Sequence, residues 1–324
     1  MINSKFWKNK KVLVTGHTGF KGGWLSLWLK IMGANVYGYS LNPITKKNFF
    51  NETKIKNIFT SDLRQNIQNK KEINKYISKF KPQIIFHLAA QPQVLESYND
   101  PVNTIQSNIN GTVNLLEAIR GKRYVKALIN ITTDKVYKNL NKNIKFKEDS
   151  CLGGDDIYSS SKASADIITL SYIKSFFNNS NCNISTVRAG NCIGGGDWTK
   201  YRILTDSINA FYLKKKLIIR SPKAKRPWQH VLEPLAGYIL LAQKLCSKNG
   251  KKFNGAWNFG PDRKNHLSVL EFAKIFGKKL NPNFKILVKK SKGNREKMNL
   301  DLDSKKAKIK LKWRTFLDIK QTLS

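Results

Sequence analysis

The chain has 324 residues, 40% hydrophobic and 11% aromatic, enough for a large core and better suited to a two-lobed protein than to one compact unit. Lys and Arg outnumber Asp and Glu by 59 to 21, a formal net charge of +38, yet the lysines are scattered through nearly every segment and form no basic arm or RNA-binding motif. That pattern reads as a compositional habit of the source genome and argues against a nucleic-acid partner, while still favouring an anionic small molecule.

Apolar runs such as Tyr238 to Ala242 are too short to cross a bilayer, and Met1 to Lys11 lacks the apolar centre of a leader. Cys151, Cys182, Cys192 and Cys246 show neither metal spacing nor a disulfide framework. A reducing, cytoplasmic home with no metal and no membrane contact is expected.

Lys11 to Thr15 reads as a short buried strand, Gly22 to Met32 as an apolar helix and Ala34 to Tyr39 as a second strand, a βαβ unit of about 30 residues. Between strand and helix runs Gly16-His17-Thr18-Gly19-Phe20-Lys21-Gly22. Glycines there permit a tight turn and close approach of a pyrophosphate to the amides at the helix start. The acidic residue expected about 20 positions on, to hold an adenosine ribose, is missing. The second strand runs out as Gly38-Tyr39-Ser40-Leu41-Asn42, so this rule leaves NAD and NADP open.

Asn57 to Ser61 reads as a third strand ending at Asp62, Asn66 to Lys79 as a surface helix, and Ile84 to Leu88 as a fourth strand followed by the small residues Ala89 and Ala90. Asp100-Pro101 starts a helix carrying Val102, Ile105, Ile109, Val113, Leu116 and Ile119 down one face. Ala127 to Ile131, the fifth strand, delivers Thr132-Thr133-Asp134-Lys135 to its carboxyl edge, where open α/β sheets bind ligands.

After a Lys- and Asn-rich loop, Lys138 to Gly154, comes a helix bearing Tyr158 and Lys162. Four residues apart, the two share a helix face. An ammonium so placed favours the phenolate over the phenol, drawing a Tyr pKa of about 10 towards the working pH and making Tyr158 a usable base. Ile184 to Val187 forms a sixth strand leading into Arg188-Ala189-Gly190-Asn191, with Arg188 open between a ligand-facing and a buried structural role. Strand and helix alternate throughout, so an α/β fold with a parallel, doubly wound sheet is expected. Beyond Asn191 come a glycine loop (Gly194 to Trp198), a helix over Ile203 to Leu213, the run Arg226 to Val231, an apolar helix over Leu232 to Leu245 and a buried strand at Trp257 to Gly260.

With the glycine turn, Thr133 and Tyr158-x-x-x-Lys162 in this order, the chain resembles the extended short-chain dehydrogenase/reductase family and, more narrowly, its CDP-glucose 4,6-dehydratases. The matching stretches are Thr15 to Gly22, His87 to Pro92, Thr133 to Lys135, Arg188 to Asn191, Gly194 to Trp198, Arg226 to Pro234 and Trp257 to Pro261. It departs at Leu95-Glu96, where members usually carry an Arg nearby, at Ile157, usually Pro, and in ending at Ser324, earlier than most.

The resemblance implies a Rossmann domain over 1–190, with return segments around 226–261, and a smaller mixed α/β sugar-nucleotide lobe over 191–324. It implies NAD held by Gly16, Thr18, Gly19, Phe20, Gly22, Asp62, Leu63, Leu88, Ala89, Ala90, Tyr158 and Lys162. CDP-glucose would be met by Gln91, Asn191, Trp198, Arg202, Arg220, Arg226 and Trp228. Tyr158 would take the proton of the sugar 4-hydroxyl, Thr133 would bind the same oxygen, Lys162 would hold the nicotinamide ribose, Asp134 would protonate the departing 6-hydroxyl and Lys135 would be the base at C5, its amine made available by nearby Lys162. Hydride would pass from C4 to the nicotinamide and return to C6. The family also pairs subunits through helices matching 102–120 and 158–177, implying a homodimer or dimer of dimers.

Two rivals remain. A sugar-nucleotide 4-epimerase needs Tyr158 and Lys162 but no acid and base after Thr133. A silent regulator that binds nucleotides or polyanions would not require Thr133, Tyr158 and Lys162 intact.

Overall fold

The computed structural model describes residues 1–140, 144–262, 266–289 and 299–323. Its six leading strands are β1 (Lys11–Thr15), β2 (Asn35–Ser40), β3 (Ser61–Arg64), β4 (Ile84–His87), β5 (Ala127–Ile131) and β6 (Asn183–Ala189). The shorter β7 (Cys192–Ile193), β8 (Leu217–Ile219), β9 (Lys225–Pro227) and β10 (Gln229–His230) follow, then β11 (Gly255–Phe259), β12 (His266–Ser268) and β13 (Ile286–Val288).

Seven strands form one sheet in the order β11-β6-β5-β4-β1-β2-β3, each neighbouring pair parallel. The chain starts in the middle, at β1, winds outward through β2 and β3, then returns to β4 on the other side. That reversal opens a crevice beyond the carboxyl ends of β1 and β4.

Such a sheet must be covered on both faces, and the alternation of side chains along each strand shows that it is. Val12, Val14, Ile84, Phe86, Ala127, Ile129 and Ile131 join one core with the helices Phe20–Ile31 and Leu232–Leu245. Leu13, Ile85 and Leu128 join the opposite core with the helices Lys70–Phe80 and Gly111–Ile119. The late helix Leu232–Leu245 and strand β11 thus return to the main sheet. Beyond it, Trp228, Phe272 and Ile319 make a separate small core, beside short ladders pairing β8 with β13 and β9 with β12.

Two local expectations need correction. The third strand begins at Ser61 rather than Asn57, because Ile55–Ile58 closes into a 3-10 turn. The helix that starts at Asp100, whose carboxylate caps Asn103 N at 3.0 Å with Pro101 in the first turn, is not continuous: Gln106–Asn110 form a π-turn before Gly111–Ile119. The extra residue rotates the apolar face. Leu116 and Ile119 are buried, whereas Val102 and Ile105 are 61% and 40% exposed.

Arg188 is structural. It is fully buried and grips Asp166 through Nε at 2.9 Å and Nη2 at 2.8 Å, while Nη1 donates to Tyr137 Oη at 2.8 Å. Asp166 also accepts Thr132 Oγ1 and Thr186 Oγ1, each at 3.0 Å. One carboxylate therefore fastens the helix Ile157–Tyr172 to the ends of β5 and β6. Replacing Arg188 by Met strands that carboxylate and should cost about 3–5 kcal/mol of stability, read from urea unfolding; a loss below about 1 kcal/mol would show that the pair carries no such role.

Candidate active site

The glycine turn follows β1 directly. Gly16 has φ of +73°, and a Cβ there would lie 2.6 Å from Ala89 N, so the turn sits against the chain leaving β4. A Cβ at Gly22 would meet Gly16 O at 2.2 Å, so the helix start is pressed into the turn. Gly19, the N-cap of Phe20–Ile31, has no side chain to cap the first amides. Those amides, the positive helix end and the small Ala89 and Ala90 fit the pyrophosphate of a dinucleotide. Leu88 continues β4, its amide donating to Thr15 O at 3.0 Å, and Ala89 N is fixed on Thr15 Oγ1 at 3.2 Å.

Where the ribose acid is missing, Thr18 Oγ1 meets Ser40 Oγ at 2.9 Å and donates to Leu41 O at 3.0 Å. The nearest acid comes from β3 instead. Asp62 Oδ1 lies 2.8 Å from His17 Nε2, and Asp62 Oδ2 accepts Arg64 Nη2 at 2.7 Å. Burial holds His17 below its usual range against the pull of Asp62. Leu63, next along β3, is half-buried and packs against the core that Tyr39 joins. His17 and Arg64 belong to this end of the site and were not expected there.

The reacting end lies one strand over. Thr133, Asp134 and Lys135 leave β5 in a short 3-10 turn. Asp134 is buried; its Oδ1 accepts Thr133 Oγ1 at 3.1 Å and Lys135 Nζ at 3.4 Å, and its Oδ2, among the described residues, has no hydrogen-bond partner. A Cβ at Gly190, after β6, would stand 3.4 Å from that oxygen. Lys135 thus faces a carboxylate directly, an acid and a base side by side.

Tyr158 and Lys162 are both buried on the helix Ile157–Tyr172, whose Asp156 cap accepts Ser159 N at 2.9 Å. Tyr158 N donates to Ser97 Oγ at 3.2 Å, and Asn108, within the π-turn, donates to Ser161 Oγ at 2.9 Å. Lys162 Nζ donates to Ile131 O at 3.1 Å. Burial, then the charge of Lys21, brings the Lys162 ammonium down to about 8, with Asp166 opposing. His87, on β4, is pushed down to about 3 by burial and by Lys162, so it stays neutral.

The expected substrate residues divide. Trp228 is buried, stacks on Phe272 at 4.2 Å and donates Nε1 to Leu267 O at 3.0 Å; it is core, which corrects the expectation of a ligand-facing ring. Gln91 is folded back too, its amide nitrogen donating to Gln93 O at 3.0 Å and to Thr104 Oγ1 at 2.8 Å, so its side chain shapes the loop after β4. Arg226 is buried within β9, with Nη1 on Lys225 O at 2.9 Å. Arg220 stacks over Tyr201 at 5.7 Å, and the half-exposed Arg202 lies 3.9 Å from Asp197. Trp198 lies under the Lys47 ammonium at 5.5 Å. Half-buried Asn191 accepts Gln229 N at 3.1 Å through its backbone.

A family model described as GDP-mannose 4,6 dehydratase matches residues 13–324. The chain belongs to that family. This 4,6-dehydratase family member is 45% identical over 277 residues to the CDP-glucose 4,6-dehydratase of Salmonella typhimurium, covering 84% of this chain and 76% of the relative. It is 28% identical to the dTDP-D-glucose 4,6-dehydratase of Dictyostelium discoideum, over 82% of this chain and 61% of that one. Among solved structures, dTDP-glucose 4,6-dehydratase from Bacillus anthracis in complex with NAD shares the fold at TM-score 0.79 and 22% identity, covering 97% of this chain and 94% of that one. The Streptomyces venezuelae dTDP-glucose 4,6-dehydratase with NAD and TYD bound does so at TM-score 0.81 and 19% identity, covering 96% and 94%.

Because the Lys162 ammonium gives up its proton near pH 8, where a free lysine holds it to about 10.4, turnover by this 4,6-dehydratase family member should fall as pH rises through 8. A kcat profile flat to about pH 10 would contradict that.

Proposed function

We propose that the protein converts CDP-glucose to CDP-4-keto-6-deoxyglucose and water with tightly held NAD, on the glycine turn and β4 loop described above. The observation that carries this is the pairing of Asp134, one of whose buried oxygens has no partner among the described residues, with Lys135 in the turn that also bears Thr133. A 4-epimerase has no use for that acid and base. The 45% identical relative named for this activity supports the CDP-sugar reading.

NAD held by the glycine turn and the β4 loop would supply a hydride acceptor for C4 and a hydride donor for C6, with no net oxidation. Tyr158 takes the proton of the 4-hydroxyl while Thr133 Oγ1 holds the oxygen that becomes the ketone and Lys162 steadies the negative charge. The ketone acidifies C5-H. A proton moving from Lys135 Nζ to Asp134 turns the ion pair into a free amine and a carboxylic acid. The amine then removes the C5 proton as the acid protonates the 6-hydroxyl, which leaves as water. The pair ends as it began, and Lys135 hands its proton to C5 as C6 is reduced. The proton collected by Tyr158 makes good the one that Lys135 returned.

Strands β7 to β10 and the small core around Phe272 supply the sugar-nucleotide lobe in this reading, with Trp198, Arg202, Arg220 and Arg226 nearest the diphosphate; Arg suits phosphate oxygens because its fork is permanently charged. Val102, Ile105, Ile167 and Phe176, left exposed on helices that bury their other faces, fit a bundle between two copies.

Incubation with CDP-, dTDP-, UDP- and GDP-glucose should yield loss of water from the CDP-sugar first; a product of unchanged mass would favour an epimerase. Lys135→Met should lower water loss by about 100-fold or more, as measured by mass spectrometry, and full activity would refute its role. Val102→Glu with Ile105→Glu should convert the dimer to monomer in sedimentation, whereas an unchanged dimer would place the interface elsewhere.

A further inference from the structure

The cofactor turn and the sugar-nucleotide lobe meet at one aromatic ring. After β2 the chain folds back from Leu41, whose carbonyl accepts Thr18 Oγ1 of the glycine turn, and reaches the short helix Phe49–Glu52. Asn48 shapes this segment: its Nδ2 donates to Thr45 O at 2.6 Å and its Oδ1 accepts Asn51 N at 2.8 Å. Phe49 and Phe50 are buried in a small core with Ile55, against which Trp24 and Leu27 of the helix Phe20–Ile31 pack. Phe50 stands edge-on to His17, in the glycine turn, at 5.7 Å.

Phe49 is held from two sides. On the helix side its ring stacks on Trp24 at 4.6 Å and covers Gly23, where a Cβ would lie 2.6 Å from Phe49 Cδ1. On the other side comes the loop Gly194 to Trp198, which follows β7. Phe49 N donates to Gly196 O at 3.1 Å; Gly196 has φ of +88°, and a Cβ there would stand 2.7 Å from Phe49 Cβ. Trp24 Nε1 donates to Gly195 O at 3.0 Å, and the Lys47 ammonium covers the Trp198 ring at 5.5 Å. The same loop runs on into the lobe, where Asp197 O accepts Thr205 Oγ1 at 2.6 Å from the helix Ile203–Tyr212. Seating this loop therefore needs the segment after β2 in place, and that segment rests on the start of the helix whose amides fit the pyrophosphate.

We propose that Phe49 is a positioning residue that couples the two ligand sites: by seating the loop Gly194 to Trp198 against the cofactor turn, it makes a bound sugar nucleotide slow the release of NAD. The proposal rests on the dehydratase reading for the identity of the two ligands. The loop carries Trp198 and, through Asp197, lies 3.9 Å from Arg202, so a diphosphate held in the lobe favours the seated loop, and the seated loop closes over Phe49 and the segment that begins on Thr18. A hydride stored between two steps is kept only while the dinucleotide stays, which gives such a closure its use. Coupling of this kind is reciprocal, with the same factor acting on both affinities.

Exchange of bound, labelled NAD into an excess of unlabelled NAD, followed with and without CDP, reads the coupling. CDP should slow that exchange by about 10-fold in the wild type, and Phe49→Ala should bring the ratio to about 1. Gly196→Ala, which unseats the loop from its own side and leaves the aromatic core in place, should do the same, and the two changes together should lose no more coupling than either alone. A packing role alone predicts faster exchange with the CDP ratio unchanged; that result, or a wild type whose exchange is slowed by none of CDP, dTDP, UDP and GDP, would overturn the proposal. If CDP-glucose binds but is not dehydrated, the dehydratase reading fails while the exchange ratio still decides the role of Phe49. Gly196→Ala settles the same ratio if Phe49→Ala does not fold.

Discussion

The site depends on an ammonium buried where the sheet ends. Lys162 loses its water to the protein interior, gains the carbonyl of Ile131 as a direct partner, and is held one helical turn from Tyr158 because Asp166, one turn further along the same helix, is fastened to Arg188, Thr132 and Thr186. Isolated burial of such a charge is unfavourable. Here the cost is offset by a carboxylate that the strands themselves bind, so the network that stabilises the fold also places the residue assigned to the chemistry in the proposed reaction.

From that constraint the rest of the geometry follows. Fixing the helix on β5 and β6 brings Tyr158 beside the turn that carries Thr133, Asp134 and Lys135. The reversal of winding between β1 and β4 brings the glycine turn to the same edge. Asp134 and Lys135 form an ion pair within a single short turn; in the proposed reaction, moving one proton between them makes the pair an acid and a base. The large positive charge of the chain, +38, is spread over the surface; at the site, individual buried groups decide protonation.

Much of this was legible in the sequence. The strands β1, β4 and β5 are short, largely apolar runs, and the glycine turn and the Tyr158–Lys162 spacing are local patterns that keep their meaning without tertiary context. What was not legible depends on distant partners. Trp228 sits in a motif-like run, but its ring stacks on Phe272, and nothing near residue 228 announces that. Gln91 follows β4 as a ligand-facing residue would, yet Thr104 captures its amide. The π-turn at Gln106–Asn110 shifts an apolar face that looks continuous on paper. Lys135 seemed to answer to Lys162, but its direct partner is the adjacent Asp134.

The most direct measurement follows the hydrogen at C4. With CDP-glucose carrying deuterium there, an internal transfer begun by Tyr158 and Lys162 predicts a dehydrated product that retains the deuterium at C6. Deuterium lost to solvent, or still at C4 after turnover, would contradict it.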